Sequence, residues 1–479
     1  MTHSDPVSTP PSRVTNRTAG WLILIFVGCL ATGLFLFPRI SGQAPLSLEV
    51  LVLGAFFAGA GLLRYCGVPW PALQESISRK VREAVPAMLI LLSIGLLIGS
   101  WLVSGTIPML IYYGLQWVAA DYLYVFAFGI CILFSLLTGT SWGSAGTIGI
   151  VVMGMAQVYG ADPAITAAAI VGGAYFGDKL SPLSDTTNIA ALATGVDLFE
   201  HIRSMLYTTV PAALIAATGY TVLAGLHPVE EMAGELSQLT TTRTELRALF
   251  QFSVWLFLPL LIVVLGAGLR QPIVLTLLAS SFSALILAAI FQEVSFSDMT
   301  LSLSTGFDTA MLAQKSTQPL IPEILNRGGL YSMKEAVLIC FLIFAYLGLL
   351  QHVQAIERSL QPILARIRRS STAIASALLT TSVTNLFSSN QYATSFIVGA
   401  SFGPIFDRLK IDRRVLSRSL EDAGTMIENL APWTPTGIFM ATTLGVATLD
   451  YAPWQLLSWA NLAIAYVYAF TGLACFRKK

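Results

Sequence analysis

Gly172-Gly-Ala-Tyr-Phe-Gly-Asp-Lys-Leu-Ser-Pro-Leu-Ser-Asp-Thr-Thr-Asn188 is the stretch whose reading decides the fold. Apolar sequence bounds it on both sides, and it returns at once to Ile189-Ala-Ala-Leu-Ala193. A charged side chain at the centre of a bilayer costs about 2.5–3.5 kcal/mol on insertion scales, so a cluster holding Asp178, Lys179 and Asp185 needs compensation. Pro182 removes a backbone donor and interrupts the helix, freeing carbonyl oxygens beside the carboxylates. A cytoplasmic loop would be richer in Lys and Arg and would not return so soon to apolar sequence. The stretch therefore reads as a helix broken inside the membrane, where ionisable residues are functional by default.

Composition agrees. Of 479 residues, 55% are hydrophobic and 11% charged, with a mean hydropathy of +0.72; soluble domains carry about 25% charged residues. Apolar runs recur from 21–37 to 455–475, several shorter than the roughly 20 residues of a straight crossing. They predict an all-α polytopic membrane protein of about 12–14 transmembrane segments, including broken or re-entrant helices. Arg13 and Arg17 precede the run Trp21–Phe37, which is too long for a signal-peptide core and reads as a first spanning helix. The partner this implies is the lipid bilayer. A net charge of +1 gives no field for nucleic acid. Cys29, Cys66, Cys131, Cys340 and Cys475 are scattered without a CxxC, and the four histidines lack ligand spacing, so no cofactor or resident metal is expected. No HExxH or P-loop is present, and nothing points to an enzyme.

Lys and Arg set the orientation. Arg64, Arg79, Lys80 and Arg82 share one loop; Arg358, Arg366, Arg368 and Arg369 another; Arg408, Lys410, Arg413, Arg414 and Arg418 a third; Arg477, Lys478 and Lys479 end the chain. All are expected on the cytoplasmic side of a bacterial inner membrane, with both termini. The segment 226–248, with Glu230, Glu231, Glu235 and Glu245 against Arg243 and Arg247, is expected outside.

The two halves are related by a shift of 250 positions. It carries Thr138-Gly-Thr-Ser-Trp142 onto Ser388-Ser-Asn-Gln-Tyr392, Asp178 onto Glu428, Pro182 onto Pro432, Ser184 onto Thr434, Thr186 onto Thr436 and Gly195 onto Gly445. The basic loop 64–82 precedes one helix (84–104), whereas 358–369 follows its counterpart (334–351). The repeats are therefore expected to be inverted, a signature of secondary transporters. The predicted organisation is N-terminal helices (1–83), a first inverted repeat (84–225), a connector with a periplasmic segment and scaffold helices (226–333), and a second inverted repeat with the C-terminal helix (334–479).

Unwound backbone with carboxylate and hydroxyl oxygens suits a hard cation such as Na⁺. Asp178, Ser184, Asp185, Thr186, Thr187 and Asn188 are the candidate cation- and proton-binding residues. Asp178 and Asp185 are the expected Na⁺ ligands and titrating groups, with Lys179 compensating their charge. Glu428, Asn429, Thr434 and Thr436 are expected to form a second-repeat wall. Glu421 and Asp422 read equally well as acids at a helix start near a basic loop. The uncharged breaks supply Thr138, Thr140, Ser141, Asn385, Ser388 and Asn390, which also suit helix packing.

The segment GAYFGDKLSPLSDTTN resembles the signature of the NhaC family of Na⁺/H⁺ antiporters, and Ser104-Gly-Thr-Ile-Pro108 and Thr138–Gly149 are similar to other family segments. The likeness runs from residue 84 to the LAPWTP segment near 430. It implies Na⁺/H⁺ exchange, an inverted-repeat fold often assembled as a homodimer, and cation handling by Asp178, Ser184, Asp185, Thr186 and Asn188. The second repeat departs from the first: Pro435 stands at the place of Asp185 and Ile438 at that of Asn188.

The expected mechanism is competition of Na⁺ and H⁺ for one carboxylate-lined site, since burial disfavours a carboxylate's charge and a bound cation favours it. The alternative is a Na⁺-coupled carrier or exchanger of a small organic acid or amino acid. Half-helix N-termini would hold its carboxylate, Asn385, Ser388, Ser389, Asn390 and Gln391 would supply donors, and Trp142, Tyr175, Tyr392 and Trp433 would supply apolar faces.

Overall fold

The computed structural model describes residues 15–227, 235–364 and 367–476, with no account of the side chains of 235–238 and 360–363. The expectations placed on Arg13, Glu230, Glu231, Glu235, Arg366, Arg477, Lys478 and Lys479, and on the chain termini, lie outside this description.

Among the described residues the regular elements are all helices. Of these described elements, seven are long and apolar enough to cross a bilayer, or up to eight if the pair Leu239–Leu249 and Val254–Gly268, bent by 101°, is one span. Other expected segments are shorter or broken helices: 163–195 and 415–445 are interrupted, and Leu456–Thr471 is a single helix of 16 residues. Large apolar side chains such as Phe282, Ile290 and Leu214 are exposed along helices with no polar stripe to cover them. Such faces are stable against lipid and costly against water.

Contacts divide the chain into two compact units. The first comprises Met1–Met88 and Val337–Ile367. Its anchor is Tyr346, fully buried, which stacks on Phe26 with ring centroids 4.9 Å apart and donates its hydroxyl to the Leu22 carbonyl. Ser76 and His352 meet at 2.9 Å in the same unit.

The second unit, Leu89–Ala336 with Arg368–Lys479, contains both polar breaks. Here the 250-position shift is visible in the backbone. Helix Pro163–Leu180 is capped by Asp162, breaks at Ser181–Ser184, and resumes as Asp185–Thr194, closing on left-handed Gly195. In the second half the helix beginning at Arg413 is capped by Asp412, runs through a π turn (Glu421–Thr425) to Glu428, breaks, and resumes as Pro435–Leu444, closing on left-handed Gly445. The hairpin before each break matches too. Helix Leu123–Thr138 ends on left-handed Gly139, and Thr140 caps the next helix; Ser370–Ser388 ends on left-handed Ser389, and Asn390 caps the next.

Side chains repeat the correspondence. Ser135 Oγ donates to the Ala174 carbonyl at 2.6 Å, and Asn385 Nδ2 to that of Gly424 at 2.8 Å. Thr138 meets Ser144 as Ser388 meets Thr394. The Leu136 carbonyl accepts from Ser181 at the first break, and that of Leu386 from Trp433 at the second. In the first two pairs donor and acceptor both obey the shift; in the third only the accepting carbonyls do, since Ser181 maps onto Ala431 and not onto Trp433. Close approach in the first half depends on glycine: a Cβ at Gly173 would lie 2.2 Å from the Phe128 carbonyl oxygen, and one at Gly177 2.5 Å from the Leu136 nitrogen. Small residues at such crossings let membrane helices pack by backbone contact.

Candidate functional site

Asp178 lies in the last turn before the first break, with 8% of its surface exposed. Its Oδ2 accepts from the Ser141 backbone N–H at 3.1 Å and the Ser141 hydroxyl at 2.7 Å. Thr140 caps the helix that starts at Ser141, so the carboxylate sits on a helix N-terminus, where free N–H groups and the dipole favour negative charge.

Glu428, its counterpart, ends the helix before the second break. Its carboxylate accepts from Asn385 Nδ2 at 3.1 Å and from the Thr436 hydroxyl. Trp142 joins the two halves: its indole N–H reaches Thr436 Oγ1 at 3.3 Å, and its ring stacks on Phe439 at 4.3 Å. Asp178 and Glu428 lie within electrostatic reach of each other. Asn385 is 1% exposed; with its Nδ2 committed to Gly424 and Glu428, its Oδ1 is buried without a hydrogen-bond partner. A buried carbonyl oxygen with no donor is costly in hydrocarbon and marks a place for a cation or water.

The other expected residues divide. Thr434 donates to the Glu428 carbonyl at 2.6 Å and caps the following helix. Ser184, buried, meets Thr186 at 3.1 Å, and Thr187 donates to the Asp178 and Lys179 carbonyls. Asn188 is exposed and turns back to the Pro182 and Ser184 carbonyls, so it ties the break. Asn429 packs on Ser458 and Met426 rather than beside Glu428's carboxylate. Thr138, Thr140, Ser388 and Asn390 cap and brace the hairpins. Asp185 is exposed at the start of its half-helix; Tyr392 donates to it at 3.4 Å, and it lies within electrostatic reach of Asp178.

Lys179 turns away from both aspartates. Its ammonium pairs with Asp422 and donates to Asn461 Oδ1 at 3.1 Å, all three buried. Asp422 also receives Thr208 at 2.9 Å and Asn461 Nδ2 at 3.1 Å on Oδ1, with Arg418 3.7 Å from Oδ2. The helix-start reading of Glu421 and Asp422 is thereby corrected: the helix begins at Arg413, and both acids are buried two turns in. Arg418, grouped by sequence with a loop, is 2% exposed. Sequence inspection missed this centre because its members are far apart along the chain. It also passed over the GxSxG spacing of Gly139–Gly143; Ser141 there follows a helix and serves Asp178, unlike a nucleophile on a strand-to-helix turn. Of the aromatics, Trp142 and Trp433 are bound up in packing and backbone contacts, and Tyr175 is buried. Among the described residues, no group of three His, Cys, Asp or Glu forms a metal cage.

A helical membrane protein with an internal repeat, two broken helices and a carboxylate at each break has the features of a secondary transporter. The model of the Na⁺/H⁺ antiporter family matches residues 173–473, across both breaks. The chain is 40% identical to a Haemophilus influenzae protein named as an uncharacterized Na⁺/H⁺ antiporter, over 90% of this chain and 92% of that one. It is 34% identical to the Bacillus subtilis Na⁺/H⁺ antiporter NhaC, over 94% and 96%, and 30% identical to the malate-2H⁺/Na⁺-lactate antiporter of the same organism, over 89% and 90%. The chain belongs to the Na⁺/H⁺ antiporter family.

Proposed function

We propose that this chain exchanges Na⁺ for H⁺ across the bacterial inner membrane, with both ions handled at the facing breaks by Asp178 and Glu428. The observation that carries this reading is the pair of carboxylates at repeat-related positions, joined through Ser141, Trp142 and Thr436, beside the orphaned Oδ1 of Asn385. A dehydrated Na⁺ needs several oxygens. Carboxylates, the Ser184 and Thr436 hydroxyls, the Asn385 amide and carbonyls freed at the breaks are oxygens of that kind.

The cycle is electrostatic and includes no covalent step. With Na⁺ absent, a buried and a half-buried carboxylate within electrostatic reach repel, and a proton relieves the repulsion. With Na⁺ present, both anions are favoured and the proton leaves. Asp185, exposed and held by Tyr392, would pass ions to and from the Asp178–Glu428 pair. Opposite directions of the two repeats would present the site to either side in turn. The Lys and Arg distribution supports cytoplasmic termini, and the family resemblance supports a homodimer.

The malate-2H⁺/Na⁺-lactate relative keeps a second reading open, exchange coupled to a small organic acid. Trp142 stacked on Phe439 and Trp433 bonded to Leu386 are already engaged, which favours the ion-only reading. Proteoliposomes separate these: Na⁺ alone should collapse a preset pH gradient, and Asp178→Asn or Glu428→Gln should abolish the collapse. Collapse only when malate or lactate is supplied would replace this reading with the second one.

A further inference from the structure

The symmetric pair at the breaks leaves a second ionisable centre unexplained, and this centre does not repeat. Asp422 and Glu421 correspond to Gly172 and Val171 in the first half, and Lys179 to Asn429 in the second. Within it Asp422 is paired with a cation on each oxygen, Lys179 at Oδ1 and Arg418 3.7 Å from Oδ2, although Oδ2 accepts no hydrogen bond. Glu421, the adjacent residue, is not. It is 0% exposed; one oxygen accepts from Thr425 at 2.7 Å, the other has no hydrogen-bond partner, and no cation lies within ion-pair distance of it among the described residues.

Glu421 opens the π turn Glu421–Thr425, a distortion that is frequent at functional sites. Of the helices packed on this turn, Pro163–Leu180 brings Asp178 and Lys179, and Asp185–Thr194 brings Asp185. Leu198–Leu226 brings His201, which is engaged by Ser417, and carries the paired Glu200 and Arg203; Gln391–Arg408 carries Asp407 and Arg408 at its last turn, whereas Ser370–Ser388 and Leu456–Thr471 carry no charged residue. Asp178 and Lys179 are within electrostatic reach of Glu421. A buried carboxyl group without a cation is tolerable as the neutral acid and costly as the anion.

We propose that Glu421 is a second proton-carrying carboxylate of the exchange cycle, separate from the Asp178–Glu428 pair and emptied when that pair takes Na⁺. This rests on the cation site proposed above, whose negative charge reaches Glu421: where Na⁺ occupies the pair before its own proton has left, that charge is reduced and the Glu421 proton is released more easily, and linkage makes the effect reciprocal.

The test counts protons released per Na⁺ bound by the purified full-length protein in weakly buffered detergent solution, with a pH indicator and calorimetry in parallel. Glu421→Gln keeps the shape and the Thr425 contact. It should still bind Na⁺ but release about one proton fewer per ion, the count being tied to site occupancy by linkage. Infrared difference spectra, Na⁺-loaded minus Na⁺-free, should show loss of a protonated carboxyl band in the parent and a smaller loss in Glu421→Gln. Thr425→Val, which retains the acid, should shift that band, and this arm holds even if the Gln variant does not fold. An unchanged proton count, an unshifted band, or loss of Na⁺ binding in Glu421→Gln overturns the proposal. Persistence of Na⁺ binding in Asp178→Asn would instead overturn the cation-site reading, and the proton count per bound ion would still judge Glu421.

Discussion

Removing Asp422 should damage the fold more than removing its partner Lys179, and the geometry gives the size of the difference. Asp422 Oδ1 receives Lys179, Thr208 and Asn461, while Oδ2 faces Arg418 at 3.7 Å. Lys179→Met leaves the carboxylate with Arg418 and two neutral donors. Asp422→Leu leaves two cations, Lys179 and Arg418, 0% and 2% exposed, with no anion in contact. Breaking a buried pair by removing one partner costs about 3–5 kcal/mol, because a buried charge is left uncompensated. Lys179→Met should fall near the lower end, about 3 kcal/mol, and Asp422→Leu at or above the upper end, about 5 kcal/mol. The double variant strands only Arg418, so its cost should be well below the sum of the single costs. Reversible unfolding in mixed micelles with increasing dodecyl sulfate measures all three. Equal costs for the single variants, or a double variant that is simply additive, would refute the idea that Asp422 neutralises two cations at once.

Further outcomes follow from the packing and the breaks. Gly177→Ala should cost about 1–3 kcal/mol in the same assay, because its Cβ would meet backbone atoms of Leu136 and Ile132 that cannot swing aside; Gly28→Ala, with nothing within 4 Å, is the neutral control. Gly139→Ala should destabilise, since φ is +67° and the new Cβ would lie 2.7 Å from that of Leu183, whereas Ser389→Gly, at φ 50°, should gain about 1 kcal/mol by relieving a left-handed backbone. Thr436→Val removes a donor from Glu428 and should raise the Na⁺ concentration for half-maximal collapse of a pH gradient by about tenfold, as expected when a hydrogen bond to a charged group is lost.

The break at Pro182 and its echo at Pro432 were legible in the sequence because polar residues inside apolar runs are rare and costly, and one shift related both. That shift holds in the structure down to the caps at Asp162 and Asp412, those at Thr140 and Asn390, and the left-handed closures at Gly195 and Gly445. The number of crossings was less legible. A hydropathy run such as 163–195 looks like one long span, yet it holds a helix ending at Leu180 and a half-helix of ten residues. Lys179 was assigned to the wrong anion because sequence offers only neighbours, and its partner Asp422 lies 243 positions away. Helical geometry held the clue: adjacent residues point about 100° apart, so Asp178 and Lys179 cannot serve the same centre from one intact turn. Glu421 and Asp422 read equally well as helix-start acids because nothing in the local pattern separates Asp412, which does cap, from acids two turns further on.

Calorimetric titration of Na⁺ into purified protein between acidic and alkaline pH tests most directly whether metal ion and proton claim the same oxygens. Where the protonated form predominates, apparent affinity should weaken by about tenfold for each unit of falling pH per displaced proton, by mass action, and Asp178→Asn should lose the Na⁺ heat. Affinity that is flat across pH, or Na⁺ binding that survives in Asp178→Asn, would contradict the account.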